Sequence, residues 1–143
     1  MRRSVLLLMA AALTIAVQPV SATPGTLDPA FSHDGIATAF GTGSVATAVA
    51  IDNAGRTVVV GYTVDAHVDV AVARFRPDGT FDPSFNGDGR VPMSLGADAA
   101  LAFDVAVAED NGLGIAGRWT GGGIEDSFVL RLGPGGEPVA AFG

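Results

Sequence analysis

Residues 81–90 read Phe-Asp-Pro-Ser-Phe-Asn-Gly-Asp-Gly-Arg, and residues 27–36 read Leu-Asp-Pro-Ala-Phe-Ser-His-Asp-Gly-Ile. Residues 81–90 follow residues 27–36 by 54 positions and keep their Asp-Pro, Phe and Asp-Gly signals. Self-similarity at a fixed period is the sequence signature of repeat architectures. The match extends through two further pairs of blocks: residues 49–61 with 105–117, and residues 69–79 with 126–136.

The chain therefore contains two imperfect copies of one unit of roughly 55 residues. Unit one covers about 27–80, unit two covers about 81–137, and residues 138–143 begin a third unit. Because the spacing drifts slightly from block to block, small insertions lie between them, where loops absorb changes in length.

Four strands are predicted for each unit, since Val, Ile, Thr and Phe dominate short runs that are bounded by Gly, Asn, Asp and Pro. We assign the chain's 20 glycines to these turns. Four antiparallel strands in about 50 residues match one blade of a β-propeller. The predicted fold is all-β, with two four-stranded antiparallel blade-like repeats that form a partial β-propeller after a signal peptide. The expected strands are Gly35–Phe40, Ala46–Asp52, Thr57–Tyr62 and Asp69–Phe75, then Arg90–Leu95, Phe103–Ala108, Leu113–Trp119 and Asp126–Leu132.

The first 22 residues have the three-part layout of a secretory signal peptide. Arg2 and Arg3 are the positive region, residues 4–17 are an apolar run, and Ala22 ends a small-residue cleavage site. The run is shorter than the ~20 residues that span a bilayer, so we expect no membrane insertion after cleavage. The chain has no cysteine, which excludes a lipoprotein anchor. The predicted product is residues 23–143, secreted or held in the cell envelope.

Composition narrows the classes of partner. The chain carries 15 acidic and 8 basic residues, for a net charge of −7, and cleavage of the leader would remove two of the arginines. An acidic surface with so few cations is a poor match for nucleic acid or for anionic membranes. Without cysteine there is no disulfide and no thiolate metal site, so burial and backbone hydrogen bonds must hold the domain together.

Two motifs imitate catalytic or cofactor sites. Ser32-His33-Asp34 brings three triad residue types together, but neighbours in a turn do not reach triad geometry, and unit two has Asn-Gly-Asp there. His67 has no partner that the sequence reveals. Residues 112–117 (GLGIAG) fit the GxGxxG pattern, but they fall on a predicted strand and not before a helix. We therefore expect no catalytic and no cofactor-binding residues.

Turn residues and aromatic residues are interpreted as structural. Asp and Asn side chains in the two Asp-Pro…Asp-Gly turns are oxygen donors suited to calcium, but they do not fit an EF-hand loop and are typical of turns, so no metal site is assigned. Tyr62 and Trp119, at the ends of equivalent strands, are expected to pack at a blade edge in preference to stacking on a sugar ring. The potential calcium ligands are Asp28, Asp34, Asp82, Asn86 and Asp88, and the expected anchors between blades are Phe31, Phe85 and Phe142.

These blocks resemble the delta-60 repeat family of bacterial exported proteins, from Leu27 to Gly143. The most specific blocks are Arg74–Phe85 and Asp52–Tyr62, while residues 134–138 (PGGEP) depart from the pattern. The resemblance implies propeller-like blades in long arrays, with no established activity and no catalytic residues.

The sequence favours an exported, non-enzymatic repeat module that acts as a structural scaffold or binding surface. The alternative is a ligand-binding or hydrolytic propeller with a site between blades, in a calcium-stabilised form. Two blades leave open faces, so we expect either self-association or further repeats that cover them.

Overall fold

The structure, a computed structural model, describes residues 24–64 and 66–140. The predicted signal peptide and Phe142 lie outside these residues. Within them the chain forms seven strands and no helix, and therefore no helix that could cross a bilayer. The strands are β1 Val45–Ile51, β2 Thr57–Val64, β3 Val68–Phe75, β4 Arg90–Met93, β5 Ala99–Val107, β6 Leu113–Gly121 and β7 Ile124–Leu132.

All seven strands belong to one sheet, which has two antiparallel parts. Group one contains β1, β2, β3 and β4 in that order, and group two contains β5, β6 and β7. A single parallel bridge between Val68 and Ala99 joins the two groups. The all-β prediction is confirmed. Group one has four strands, whereas group two has three among residues 24–64 and 66–140, because no strand pairs with β7 as β4 pairs with β3.

The predicted strand Gly35–Phe40 is wrong. Residues 36–39 have no assigned secondary structure, whereas the equivalent segment of unit two forms β4. β4 pairs with β3 of the preceding unit, through Val72 opposite Val91 and Val70 opposite Met93. Segment 36–40 has no such preceding strand among the described residues, and a strand needs a partner for its backbone groups. The sheet groups are therefore offset by one strand from the sequence units.

Alternation along the strands gives each group two faces. We call the face of group one that carries Val58, Val60, Val70 and Val72 its back face, and the opposite one its front face. All four valines are at most 1% exposed, and they pack against β5, β6 and β7. The surface they meet is the front face of group two, which carries Leu113, Ile115, Phe128, Leu130 and Leu132.

The core is thus the back face of one group stacked on the front face of the next. Burial of a valine side chain contributes about 1.5–3 kcal/mol, so this interface is a main source of stability. Val91 of β4 and Phe85 of the turn before it complete the core cluster. A repeat with one exposed face needs a neighbour in this way.

Four glycines lie within strands and not in turns, Gly61 in β2 and Gly114, Gly117 and Gly121 in β6, which corrects the assignment of every glycine to a turn. Gly61 and Gly117 are the two that approach a neighbouring backbone closely. A β-carbon at Gly61 would overlap the carbonyl oxygen of Val45, and one at Gly117 would overlap that of Leu101. Both glycines lie opposite a bulge, between Ala46 and Ala48 in β1 and between Ala102 and Asp104 in β5. The two bulges are 56 residues apart, so the close backbone approach is a repeated feature of the unit.

Candidate functional site

The most strongly interacting charged groups lie at the end of group one. Arg74 is 1% exposed, and its Nε donates to Asp82 Oδ2 at 2.8 Å. Arg56 bridges Asp82 and Asp52, with Nη1 3.1 Å from Asp82 Oδ2 and Nε 2.7 Å from Asp52 Oδ2. A buried arginine requires such carboxylate partners, because an unpaired charge is very costly away from water.

Arg74 also ties group one to the rest of the chain. Its Nη1 donates to the Pro134 carbonyl oxygen at 2.6 Å, which lies in the turn after β7, and its Nη2 donates to Ser84 Oγ at 3.1 Å. The guanidinium carbon lies 4.6 Å from the centroid of the Phe85 ring, within the range of a cation–π contact. Each of the three guanidinium nitrogens therefore donates a hydrogen bond, and the network joins turns from both groups.

Hydrogen bonds and charge tune both carboxylates of the network. Burial alone raises the pKa of Asp82, but hydrogen bonds from Ser84 and the charge and hydrogen bond of Arg74 outweigh it, so the pKa lies below its usual value. The pKa of Asp52 is lowered in the same way, since bonds from Arg56 and Ala54 exceed the effect of burial. Both groups are therefore held as carboxylates at neutral pH.

The second unit keeps only part of this network. Arg131 is the equivalent of Arg74, but Val139 stands where Asp82 would, and Arg131 pairs with the exposed Asp110 at 3.2 Å. Val139 N–H donates to the Arg131 carbonyl, just as Asp82 N–H donates to that of Arg74. The backbone geometry is repeated while the charge is lost.

A groove of about 350 Å³ lies on the front face of group one. Val59, Ala71, Ala73 and Phe75 line one wall, and segment 37–41 lines the other. The walls are small and mostly apolar, so the groove suits apolar side chains. Its polar side chains are the hydroxyls of Thr38, Ser44 and Tyr62, and no charged side chain lines it.

The histidines do not assemble with other titratable groups. His33 and His67 are both exposed, and His33 lies in a left-handed turn with φ of 71°. In the described ranges, no cluster of three or more His, Asp or Glu side chains is arranged to hold a metal ion. Ser32-His33-Asp34 therefore has the geometry of a turn.

The acidic turn residues use Oδ1 to cap their own backbone. Asp28 accepts from Ala30 N–H, Asp34 from Ile36 N–H, and Asp88 from Arg90 N–H, each at 2.9 Å. Asp82 caps Ser84 N–H at 3.0 Å. Asn86 instead donates its side-chain amide to the Arg90 carbonyl at 2.7 Å. The five oxygen donors proposed for calcium thus all make local hydrogen bonds in the two turns.

The other sequence candidates also have structural positions. The GxGxxG stretch ends within β6 and is not followed by a helix. Trp119 packs against the core cluster and Tyr62 is half-buried, although their strands continue to Gly121 and Val64. Phe31 lies over Gly79 as Phe85 lies over Gly136, since a β-carbon on either glycine would come within 3.0 Å of the ring.

Sequence reasoning missed the Arg74 network, although both of its segments were already the most specific blocks of the repeat. Asp52, Arg56, Arg74 and Asp82 are spread over 31 positions, and only the pairing of β2 with β3 brings them together. The signal was an arginine within the apolar run of residues 70–75, which implies a buried charge with a partner.

Comparison with known proteins gives one match. A family model described as a domain of unknown function (DUF5122) beta-propeller matches residues 55–85, which run from the turn before β2 to the Asp-Pro turn. No curated protein and no solved structure shows significant similarity to the chain. The matched segment contains Arg56, Arg74 and Asp82 of the buried network, while Asp52 and Pro134 lie outside it. The match and the all-β fold support a propeller-type repeat family of unknown function.

Proposed function

We propose that the chain is an exported, non-enzymatic repeat module that serves as a structural scaffold or binding surface. The observation that carries the proposal is the stacking of the back face of one repeat on the front face of the next. Such modules present extended surfaces built from repeated units. The finer resemblance to delta-60 repeats of bacterial exported proteins is part of the same proposal.

Export is tested by expressing the whole chain in a bacterial host and measuring the mass of the product in each cell fraction. We expect a product that begins at Thr23, outside the cytoplasm. Ala22→Phe should block processing, because cleavage needs a small residue there, while Ser21→Ala should leave it intact. Full-length protein retained in the cytoplasm would contradict export.

The non-enzymatic role is tested with chromogenic ester, phosphate and glycoside substrates. We expect no turnover above the buffer rate, since the histidines are exposed and apart from other titratable groups. Turnover that His33→Gln abolishes would instead support a hydrolytic propeller.

The calcium-stabilised alternative has its own test, the melting temperature with calcium and with a chelator. We expect no shift, because all four turn carboxylates already accept backbone N–H groups and two of them, Asp82 and Asp88, also pair with arginines. A rise in melting temperature with calcium that Asp88→Asn removes would support the alternative, since binding to the folded state stabilises it.

A further inference from the structure

The interface between group one and group two shows how a second copy of the chain could dock on either group. Back-face Val72 of group one corresponds to Val129 of group two, and front-face Val105 of group two corresponds to Val49 of group one. Val72 is fully buried while Val129 is 62% exposed, and Val105 packs on the core while Val49 is 65% exposed. The chain therefore has one interface formed and the two halves of a second one unpaired within the described residues.

The backbone of group two also has an unpaired edge, along β7. β3 has β2 on one side and β4 on the other. In the described part of the chain, β7 has β6 on one side and only the bridge from Leu132 to Pro138 on the other. Arg74 N–H points to the β4 side, where it donates to Gly89. Alternation therefore aims the N–H and carbonyl of Val129 at the open edge of β7. Unpaired edges of this kind are templates for strand addition.

Segment 36–40 is the free equivalent of β4. It faces Ala73 and Phe75 across the groove of group one, much as Met93 of β4 faces Leu130 and Leu132 of group two in a smaller cavity of about 230 Å³. The segment thus already has the position of β4 relative to the following group. Among the described residues, however, no preceding group offers it a strand equivalent to β3 with which to pair.

Charge complementarity points to the same arrangement. Arg131 lacks the carboxylate that Asp82 provides to Arg74, and Asp28 is the equivalent of Asp82 in the first turn. Asp28 is exposed and caps its turn through Oδ1, as Asp82 does while its Oδ2 meets the arginine. Two copies docked like the two groups of one chain would bring Asp28 to Arg131.

We propose that the chain assembles head to tail with a second copy, whose residues 27–40 add to the open edge of β7. The added strand completes group two, and the back face of group two then covers the groove of the partner. The pairing follows that of β3 with β4 and places Ile36 opposite Leu130, Ala37 opposite Val129, Thr38 opposite Phe128 and Ala39 opposite Ser127.

Residues 138–140 compete with the incoming segment for the open edge of β7. Val139 N–H binds the Arg131 carbonyl, where the incoming Asp28 would bind. The partner segment must displace this short stretch, and in return it brings Arg131 a second carboxylate beside Asp110. Deletion of residues 138–143 should therefore strengthen the association by removing a competitor.

The proposal rests on the repeat module of the proposed function, but it is tested separately from export and from activity. Because the chain has no cysteine, single cysteines report a contact cleanly. Residues directly opposite in such a pair have Cα atoms about 5.5 Å apart, which suits a disulfide. The experiment mixes the Ala37→Cys and Val129→Cys mature chains under mild oxidation and measures the mixed dimer.

We expect the mixed dimer to form at least tenfold faster than with Thr38→Cys in place of Ala37→Cys, since neighbouring side chains along a strand point to opposite faces. Deletion of residues 138–143 should raise the rate further. Equal rates for the two mixtures, or no mixed dimer, would overturn the assembly. That result would leave the export and scaffold proposals standing, because neither requires a second copy.

Discussion

At the scale of single residues, we expect the buried pair of Arg74 and Asp82 to contribute most to stability. Asp82→Asn keeps the cap on Ser84 but removes the charge, so Arg74 remains buried without a full partner. Breaking a buried pair costs about 3–5 kcal/mol, and we expect a loss of this size in chemical denaturation. The matched control is Asp88→Asn, whose exposed pair with Arg90 should contribute about 0–1 kcal/mol. Equal losses in the two variants would contradict the network's role.

The two carboxylates of this network, Asp52 and Asp82, predict how the stability of the fold depends on pH. The folded-state pKa values of Asp52 and Asp82 lie below the unfolded value of about 3.9, so their contribution is present above that pH. It is lost as the pH falls from about 5 through the lowered folded-state values. Asp82→Asn should therefore make the melting temperature less sensitive to acid than it is in the unaltered chain. An unchanged acid dependence would show that other groups control it.

The mid-strand glycines give a second prediction at this scale. Gly61→Ala forces a methyl group into the Val45 carbonyl, and overpacking of this kind costs about 1–3 kcal/mol. Gly114→Ala is the control within a strand, because a β-carbon there meets nothing within 4 Å. It should be neutral or stabilise by up to about 1 kcal/mol through the unfolded state. Thermal melts distinguish the two, and equal effects would contradict the close approach at Gly61.

At the scale of strands, local pattern predicted most of what the structure contains. β2, β3, β6 and β7 follow from apolar runs between turn residues, because both signals act over a few neighbouring positions. Segment 36–40 has the same composition but is not a strand, since its pairing depends on a strand that composition does not reveal. The contact of Arg74 with Pro134 was unpredictable for the same reason, because Pro134 reaches the network only after the two groups stack.

The equivalence of segment 36–40 with β4 also predicts different effects for two neighbouring proline substitutions. Pro92 already occupies β4, opposite Ala71, so its missing N–H points away from β3. Thr38 is the equivalent position, and Thr38→Pro should leave self-association unchanged. Ala39→Pro removes an N–H that would face β7, so it should weaken association at least tenfold in sedimentation measurements. Equal behaviour of the two variants would contradict strand addition in this register.

At the scale of the whole molecule, residues 24–64 and 66–140 form one interface between groups and leave both halves of a second one open. An interface that joins different surfaces of identical copies closes into a ring or continues as a filament. Propellers contain about 4–8 blades, so a closed ring would hold about two to four chains. The acidic net charge of the chain favours solubility over nonspecific association.

The most direct measurement is the mass of the mature chain in solution, by sedimentation over a wide range of concentrations. We predict a mass that rises with concentration to a fixed multiple of one chain, about two to four, as the open faces become covered. A larger, steadily growing mass would indicate a filament built through the same contact. A folded monomer at every concentration would contradict the claim that the repeated interface recurs between copies.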